Sequence, residues 1–234
     1  MGVDRMTVVV QSRNPLPLGE FWAHLLECDL SADTDDCVVE VSDRAVLLFL
    51  RSTVAHHESP RQHLDVASAS PTHQAELVER ALALGARHVD IGQGDVPWRV
   101  MADPDGNAFC ILEPREDYLG CGPLAAVVTH TRDPLAVGRF WAALVDAPAI
   151  GSHPEFTSVR YSPAGPALEF VRHPNPPNGP GRLHLRLAVT GPLTEPSPGA
   201  DAADPCPVCG ESSVVATDPE RNQLCESGYL PEKR

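Results

Sequence analysis

NPLPLGEFWA, at residues 14–23, occurs a second time as DPLAVGRFWA at residues 133–142. Two further segments follow each copy in the same order. They are RQHLDV (61–66) and DPDGNAFC (103–110) in the first half, and RLHLRL (182–187) and DPERNQLC (218–225) in the second. Three matches in the same order, with only small insertions and deletions between them, indicate a duplicated domain.

The length of 234 residues fits two ordinary domains, and the repeat predicts them at residues 1–115 and 122–231. Each is long enough to bury a core of its own. In both halves the apolar spacing predicts a strand, then a helix that begins with Pro15 or Pro134, then further strands. Because residues 190–207 contain five prolines, we predict that the last helix of the second half is lost.

The net charge and the number of cysteines limit the possible partners and the expected cellular compartment. A net charge of −14 argues against nucleic acid or an anionic membrane as partner, and it permits a cationic ligand. No apolar run reaches the ~18 residues of a membrane span, and no signal peptide pattern is present, so a cytoplasmic protein with reduced thiols is expected. Cys206 and Cys209 have zinc-knuckle spacing without a second pair, which leaves a zinc site, a redox pair and an inert loop open.

The three repeated segments resemble the pattern of the vicinal oxygen chelate superfamily, the glyoxalase and bleomycin-resistance fold, and within it the glyoxalase-like subgroup. The first half matches all three segments, whereas the second has Arg186 for the strand aspartate and Arg221 for the turn glycine. The resemblance implies an α+β fold of two tandem domains. Each would be a pair of βαβββ modules that form an open mixed-sheet barrel around a ligand. This fold hosts lyases, isomerases, dioxygenases, thiol transferases and drug-binding proteins.

Metal-dependent members of that superfamily use about four ligands, from the first and last strands of two modules. Carried over by position, the histidine that opens the second module of each half falls on His63 and His184. The other positions fall on Cys110 and Cys225, on Thr7 and Ala126, and on Leu48 and Glu169. The resemblance therefore predicts no metal in the first half and leaves one divalent ion on Glu169, His184 and Cys225 as an alternative for the second.

Strand periodicity adds a prediction for the first half. His63, Asp65 and Ala67 share one face of a strand, and Leu64 and Val66 share the other. The apolar face is expected to pack on helices, and the polar face is expected to look into the cavity. A structural hydrogen bond between His63 and Asp65 and a role of His63 as a ligand anchor both stay open.

These observations predict a metal-free protein that holds a small organic molecule, aromatic or cationic, in a barrel cavity. The predicted ligand-binding residues are His63, Asp65, Trp98, Cys110, Glu169, His184, Arg186 and Cys225. Arg186 could pair with a ligand carboxylate or with Glu169, and Trp98 could lie on either face of its strand. The alternatives are a divalent-metal lyase, isomerase or dioxygenase that works from the second half, and a degenerate domain that serves as an interaction surface. A homodimer is compatible with the sequence.

Overall fold

The computed structural model describes residues 2–33, 35–52, 61–177, 182–190 and 214–226. It confirms the predicted α+β class, since these residues form three α-helices and fifteen strands in two sheets. None of the helices found there has the length and hydropathy of a membrane span. Cys206, Cys209 and nearly all of residues 190–207 lie outside the described residues, and so do the predictions made for them.

The elements form four modules in chain order. Module 1 contains β1 (Gly2–Ser12), α1 (Pro15–Leu26), β2 (Asp29–Asp33), β3 (Asp36–Ser42) and β4 (Ala45–Arg51). Module 2 contains β5 (Gln62–Val66), α2 (Pro71–Ala83), β6 (Arg87–His88), β7 (Arg99–Ala102) and β8 (Ala108–Ile111). Module 3 contains β9 (Leu124–Thr131), α3 (Pro134–Val145), β10 (Ala149–His153), β11 (Phe156–Val159) and β12 (Ala167–Arg172). The described part of module 4 contains β13 (Leu183–Thr190), β14 (Val214–Thr217) and β15 (Gln223–Glu226).

Each sheet joins one module of the first half to one of the second. The seven-stranded sheet has the order β14-β15-β13-β1-β4-β3-β2, so it combines modules 4 and 1. The eight-stranded sheet has the order β10-β11-β12-β9-β5-β8-β7-β6, so it combines modules 3 and 2. The strands at the two joins, β1 with β13 and β5 with β9, are antiparallel. This pairing differs from the expectation that the two modules of one half share a barrel.

Modules of the same half are held together by their apolar sides instead. The Trp22 indole Nε1 of α1 donates a hydrogen bond to Asp103 Oδ2 of module 2 at 3.2 Å, and the Trp22 ring lies 5.1 Å from that of Phe109. The second half repeats the bond from Trp141 Nε1 to Asp218 Oδ2 at 3.1 Å. Because modules 1 and 2 meet through these buried sides, the edges of β1 and β5 stay available to the other half.

A glycine in the repeated stretch sets how closely each helix approaches its sheet. A Cβ atom on Gly19 of α1 would lie 2.4 Å from Cys37 Sγ of β3, and one on Gly138 of α3 would lie 2.2 Å from Thr157 Cγ2 of β11. Only glycine leaves room at these contacts. The predicted helix starts hold, with Pro15 and Pro134 in the first positions of α1 and α3.

Candidate functional site

Four polar side chains lie together on one side of the eight-stranded sheet. They are His63 and Asp65 of β5, Cys110 of β8 and Glu169 of β12, and we call this set the polar face. Their neighbours along the strands belong to the apolar core, namely Leu64, Val66, Phe109, Ile111, Leu168 and Phe170. Since side chains alternate along a strand, the four polar residues must point away from that core.

The exchange of modules between the halves brings Glu169 to His63. His63 of β5 and Glu169 of β12 both pair with Val128 of the intervening strand β9. On the other side of β5, Asp65 pairs with Cys110. The polar face therefore combines residues of both halves, whereas the repeat predicts a separate cavity in each half.

Three of these residues form a compact cluster. The imidazole Nε2 of His63 lies 3.3 Å from Asp65 Oδ1, and the donor atoms of His63, Asp65 and Cys110 all lie within 4.8 Å of one another. The three side chains are buried, with exposed fractions of 6%, 6% and 3%. Burial raises the pKa of the Cys110 thiol, and the negative charge of Asp65 raises it further. Cys110 is therefore an ordinary protonated thiol beside a carboxylate at neutral pH.

Glu169 is bonded to Tyr118, which lies in the linker between the two predicted domains, residues 116–121. The hydroxyl of Tyr118 donates a short hydrogen bond to Glu169 Oε1, and Ser158 Oγ donates another at 3.3 Å. Tyr118 ends the 3₁₀ helix Glu116–Tyr118, which brings the linker onto the polar face. Burial raises the pKa of Glu169, the bond from Tyr118 opposes this rise, and the charge of Asp65 adds to it. An aromatic residue just before the glycines Gly120 and Gly122 is the sequence signal that points to this role.

Aromatic rings and guanidinium groups border the polar face. Trp98 and Tyr118 both pack against the cluster that contains Cys110, so the Trp98 ring lies on this side of the sheet. The guanidinium Cζ of Arg115 lies 5.5 Å from the centroid of the Trp98 ring and 5.9 Å from that of Tyr118. The guanidinium Cζ of Arg160 lies 5.6 Å from the centroid of the Tyr118 ring. The site thus offers stacking surfaces as well as polar groups.

The equivalent place in the seven-stranded sheet has fewer donors. His184 Nε2 lies 3.0 Å from Cys225 Sγ, and both side chains are buried. His184 pairs with Val9 of β1, which in turn pairs with Leu48, the counterpart of Glu169. An apolar leucine therefore stands where the other sheet has its carboxylate.

The predicted metal set Glu169, His184 and Cys225 is wrong because its members belong to two different sheets. In the described part of the chain, the only group of three or more potential ligands is His63, Asp65 and Cys110. The structure also places Arg186 beside Thr7 in the seven-stranded sheet, whereas Glu169 bonds to Tyr118 and Ser158.

The cluster fits a divalent ion by the chemistry of its donors. An imidazole nitrogen, a carboxylate oxygen and a thiolate sulfur are all ligands that zinc accepts. Asp65 Oδ1 is buried without a hydrogen-bond donor. Binding would require Cys110 to lose its proton, which burial and the charge of Asp65 both oppose. The donor set therefore fits a divalent ion, but the binding free energy would have to include the deprotonation of Cys110.

A row of three imidazoles continues from the polar face. The ring centroids of His63 and His130 are 5.4 Å apart, and those of His130 and His173 are 5.2 Å apart. Burial and, to a lesser extent, the neighbouring charges of His63, His173 and Arg61 together lower the pKa of His130 to about 4. In the folded protein the His130 side chain therefore remains neutral at mildly acidic pH.

His130 should make the protein sensitive to acid. In the unfolded chain a histidine takes up a proton near pH 6.5, but in the folded protein His130 does so only near pH 4. The unfolded state therefore gains protons first, and the free energy of unfolding falls by roughly 1–3 kcal/mol as the pH decreases between these values. Urea denaturation at pH 7 and pH 4.5 should show a smaller loss for His130→Gln than for wild type, whereas the exposed His88→Gln should behave as wild type. Equal losses in all three proteins would contradict this role.

Comparisons with known proteins agree with this architecture. Residues 7–112 match the model of a family described as a glyoxalase-like domain. Glyoxalase I from Zea mays is similar in structure, with 13% identity, a TM-score of 0.63, and coverage of 95% of this chain and 91% of that one. A putative dioxygenase from Bacillus subtilis matches with 13% identity, a TM-score of 0.54, and coverage of 81% and 70%. No curated protein sequence matches the chain.

The two structural likenesses, at these identities, concern the fold alone, and the family match concerns the first half. They agree with the repeated motifs and with the two sheets of βαβββ modules. Residues 7–112 therefore form a glyoxalase-like domain of the vicinal oxygen chelate superfamily, and the rest of the described chain shares its fold.

Proposed function

We propose that this protein binds a small organic molecule, aromatic or cationic, on the polar face of the eight-stranded sheet, and that it does so without a metal ion. The observation that carries the proposal is the bond from Tyr118 to Glu169 beside the ring of Trp98. Glu169 stands at a position where metal-dependent relatives would place a ligand, and here a tyrosine from the linker occupies one of its oxygens. The result is a surface of rings and acceptors.

The polar face supplies the three features that small-molecule sites combine. The rings of Trp98 and Tyr118 can cover the flat faces of a ligand. The carboxylates of Asp65 and Glu169 accept hydrogen bonds and attract positive charge. His63 lies next to Asp65 and can orient a polar group of the ligand. Binding by burial and orientation requires no ionisation of Cys110.

A thermal-shift screen of aromatic amines, acids and amides tests this function. A compound present at 100 times its dissociation constant should add about 2.7 kcal/mol to the free energy of unfolding. For the compounds that bind, Tyr118→Phe should weaken binding about tenfold, because it removes the hydroxyl that positions Glu169. The matched control is His184→Ala in the other sheet, which should leave affinity unchanged. Equal sensitivity of both variants, or binding by no compound, would contradict the proposal.

A metal-dependent lyase, isomerase or dioxygenase is the second candidate, and the cluster of His63, Asp65 and Cys110 favours it. Those three residues would hold the ion, and a bound divalent ion would supply polarisation of a substrate oxygen. In that case Glu169 and Tyr118 would lie beside the reacting group, where an acid and its proton donor can hold or move a proton. This candidate and the metal-free proposal use the same side of the same sheet.

Metal content separates the two candidates. We expect protein purified without a histidine tag to carry far less than one equivalent of zinc, iron, manganese or nickel, measured by inductively coupled plasma mass spectrometry. We further expect added Zn²⁺ to shift the melting temperature of wild type and of Cys110→Ala by the same amount. Cys225→Ala is the matched control, since Cys225 is the counterpart of Cys110 in the other sheet. About one equivalent of metal that is retained in Cys225→Ala and lost in Cys110→Ala would establish the second candidate instead.

A further inference from the structure

Arg160 stands on the polar face and has no evident structural role there. It follows β11 and lies two residues beyond Ser158, whose hydroxyl donates to Glu169. Its guanidinium Cζ is 5.6 Å from the centre of the Tyr118 ring. Arg160 therefore borders the same space as Glu169 and Tyr118. The proposed function assigns no role to Arg160.

Arg160 is half-buried, and two of its donor atoms are buried without an acceptor. Its Nε and Nη2 atoms are inaccessible to solvent and have no hydrogen-bond acceptor. Arg5 and Arg61 also have a buried Nε without an acceptor, but each places its Nη2 on a glutamate. Arg115 differs again, because its Nε is bonded to Glu113 at 2.7 Å. Arg160 thus has both of these donors unpaired, whereas Arg5, Arg61 and Arg115 each contact a carboxylate.

The two unpaired atoms are those that recognise carboxylates. The Nε–H and Nη2–H bonds of an arginine point in parallel from one edge of the planar guanidinium, and their spacing matches the two oxygens of a carboxylate. A buried charge without a partner is costly to the folded protein. An unsatisfied group of this kind in a site calls for an explanation, and a ligand group provides one.

We propose that the molecule bound on the polar face carries a carboxylate, and that Arg160 binds this group through Nε and Nη2 beside the ring of Tyr118. The proposal rests on the proposed binding function and specifies its ligand class. A carboxylate fits better than a phosphate, since the buried acid Asp65 on the same face opposes a second negative charge on the ligand. The ligand would then have an acidic end at Arg160, an aromatic body on Tyr118 and Trp98, and hydrogen-bond donors towards Asp65 and Glu169.

Matched pairs of fragments test this subsite. Each pair consists of an aromatic acid and its primary amide, for example benzoate with benzamide and phenylacetate with phenylacetamide, which have almost the same shape and differ in charge. Ligand-observed NMR titrations give the dissociation constants for wild type, Arg160→Gln, Arg160→Lys and Arg172→Gln. The last variant is the control, because Arg172 is exposed and paired with Glu155.

In wild type and Arg172→Gln we expect the acids to bind at least tenfold more tightly than their amides. Arg160→Gln should remove this preference, and Arg160→Lys should reduce it, because an ammonium group keeps the charge and lacks the fork. The melting temperature of ligand-free Arg160→Gln should equal or exceed that of wild type, since the variant removes an unpaired buried charge. Amides that bind as tightly as acids, or an acid preference that survives in Arg160→Gln, would overturn the subsite and leave the binding function intact. Failure of every fragment to bind wild type would overturn both.

Discussion

Replacement of Asp103 by alanine is expected to lower the free energy of unfolding by about 3–5 kcal/mol. Asp103 is 2% exposed, and both oxygens of its carboxylate accept hydrogen bonds. The donors are the backbone N–H groups of Asp105 and Asn107, the side-chain amide of Asn107 and the indole of Trp22. The variant would leave all of these donors without their acceptor in the interior. It would also break the contact that joins α1 to module 2.

Equilibrium denaturation in urea measures this loss, with Asp43→Ala as the control. Asp43 is exposed in the turn between β3 and β4, and its replacement should change stability by less than about 0.5 kcal/mol. Asp218→Ala should be as damaging as Asp103→Ala, because Asp218 holds Trp141 and Asn222 in the same way. A loss below about 1 kcal/mol for Asp103→Ala would contradict the role assigned to this bond.

The pH dependence provides a second test at the same residue. Burial raises the pKa of Asp103 to about 6, although the hydrogen bonds from Asn107 and Trp22 oppose this rise. Because the value in the unfolded chain is about 3.9, the contribution of Asp103 to stability is complete below pH 4 and declines as the pH rises through 6. Asp103→Asn cannot titrate and directs an amide N–H towards donors. The difference in stability between wild type and Asp103→Asn should therefore be larger at pH 4.5 than at pH 7.5.

The sequence could predict the family because the repeated residues build the fold. Trp22 bonds to Asp103, and Trp141 bonds to Asp218. The arginine at the start of each repeated strand also connects modules. Arg182 donates to the backbone oxygen of Asp105 at 2.8 Å, and Arg61 contacts Glu220. Motifs of this kind recur because they hold modules together. They identify an architecture and carry no information on the ligand, which explains why the functional prediction stayed broad.

The partner of each strand could not be predicted in the same way. The alternation of polar and apolar residues in β5 specifies which face is buried, and it is satisfied equally by pairing with β1 or with β9. The observed pairing with β9 depends on contacts between residues far apart in sequence. The error in grouping Glu169 with His184 followed directly from this ambiguity. Tyr118 and Arg160 were missed for a related reason, because only the folded chain brings the linker and the end of β11 to the polar face.

Replacement of Glu220 by alanine should have the second large effect, a loss of about 2–4 kcal/mol in the free energy of unfolding. Glu220 lies in the turn before β15 and joins module 4 to modules 2 and 3. Its Oε1 accepts hydrogen bonds from the hydroxyl of Thr131 and the backbone N–H groups of Arg132 and Asp133, and its Oε2 lies 3.0 Å from Arg61 Nη2. The variant would leave Arg61, whose side chain is 13% exposed, without its carboxylate.

The first half offers a matched control at the equivalent position, Asp105. Its carboxylate accepts one side-chain bond, from Ser12 Oγ at 2.6 Å, so Asp105→Ala should cost only about 1 kcal/mol. Acid should narrow the difference between wild type and Glu220→Ala. Burial raises the pKa of Glu220, but the bonds from Thr131, Arg132 and Asp133 and the charge of Arg61 outweigh it and lower the pKa below its usual value.

The stabilisation from Glu220 is therefore complete above about pH 4.3 and disappears as the pH falls through the lower value in the folded protein. Urea denaturation of both variants at pH 7 and pH 3.5 measures these differences. Equal losses for the two variants at pH 7 would mean that the contact between sheets is no stronger at Glu220 than at Asp105. A difference between wild type and Glu220→Ala that does not depend on pH would mean that packing of the side chain, and not its charge, joins the modules.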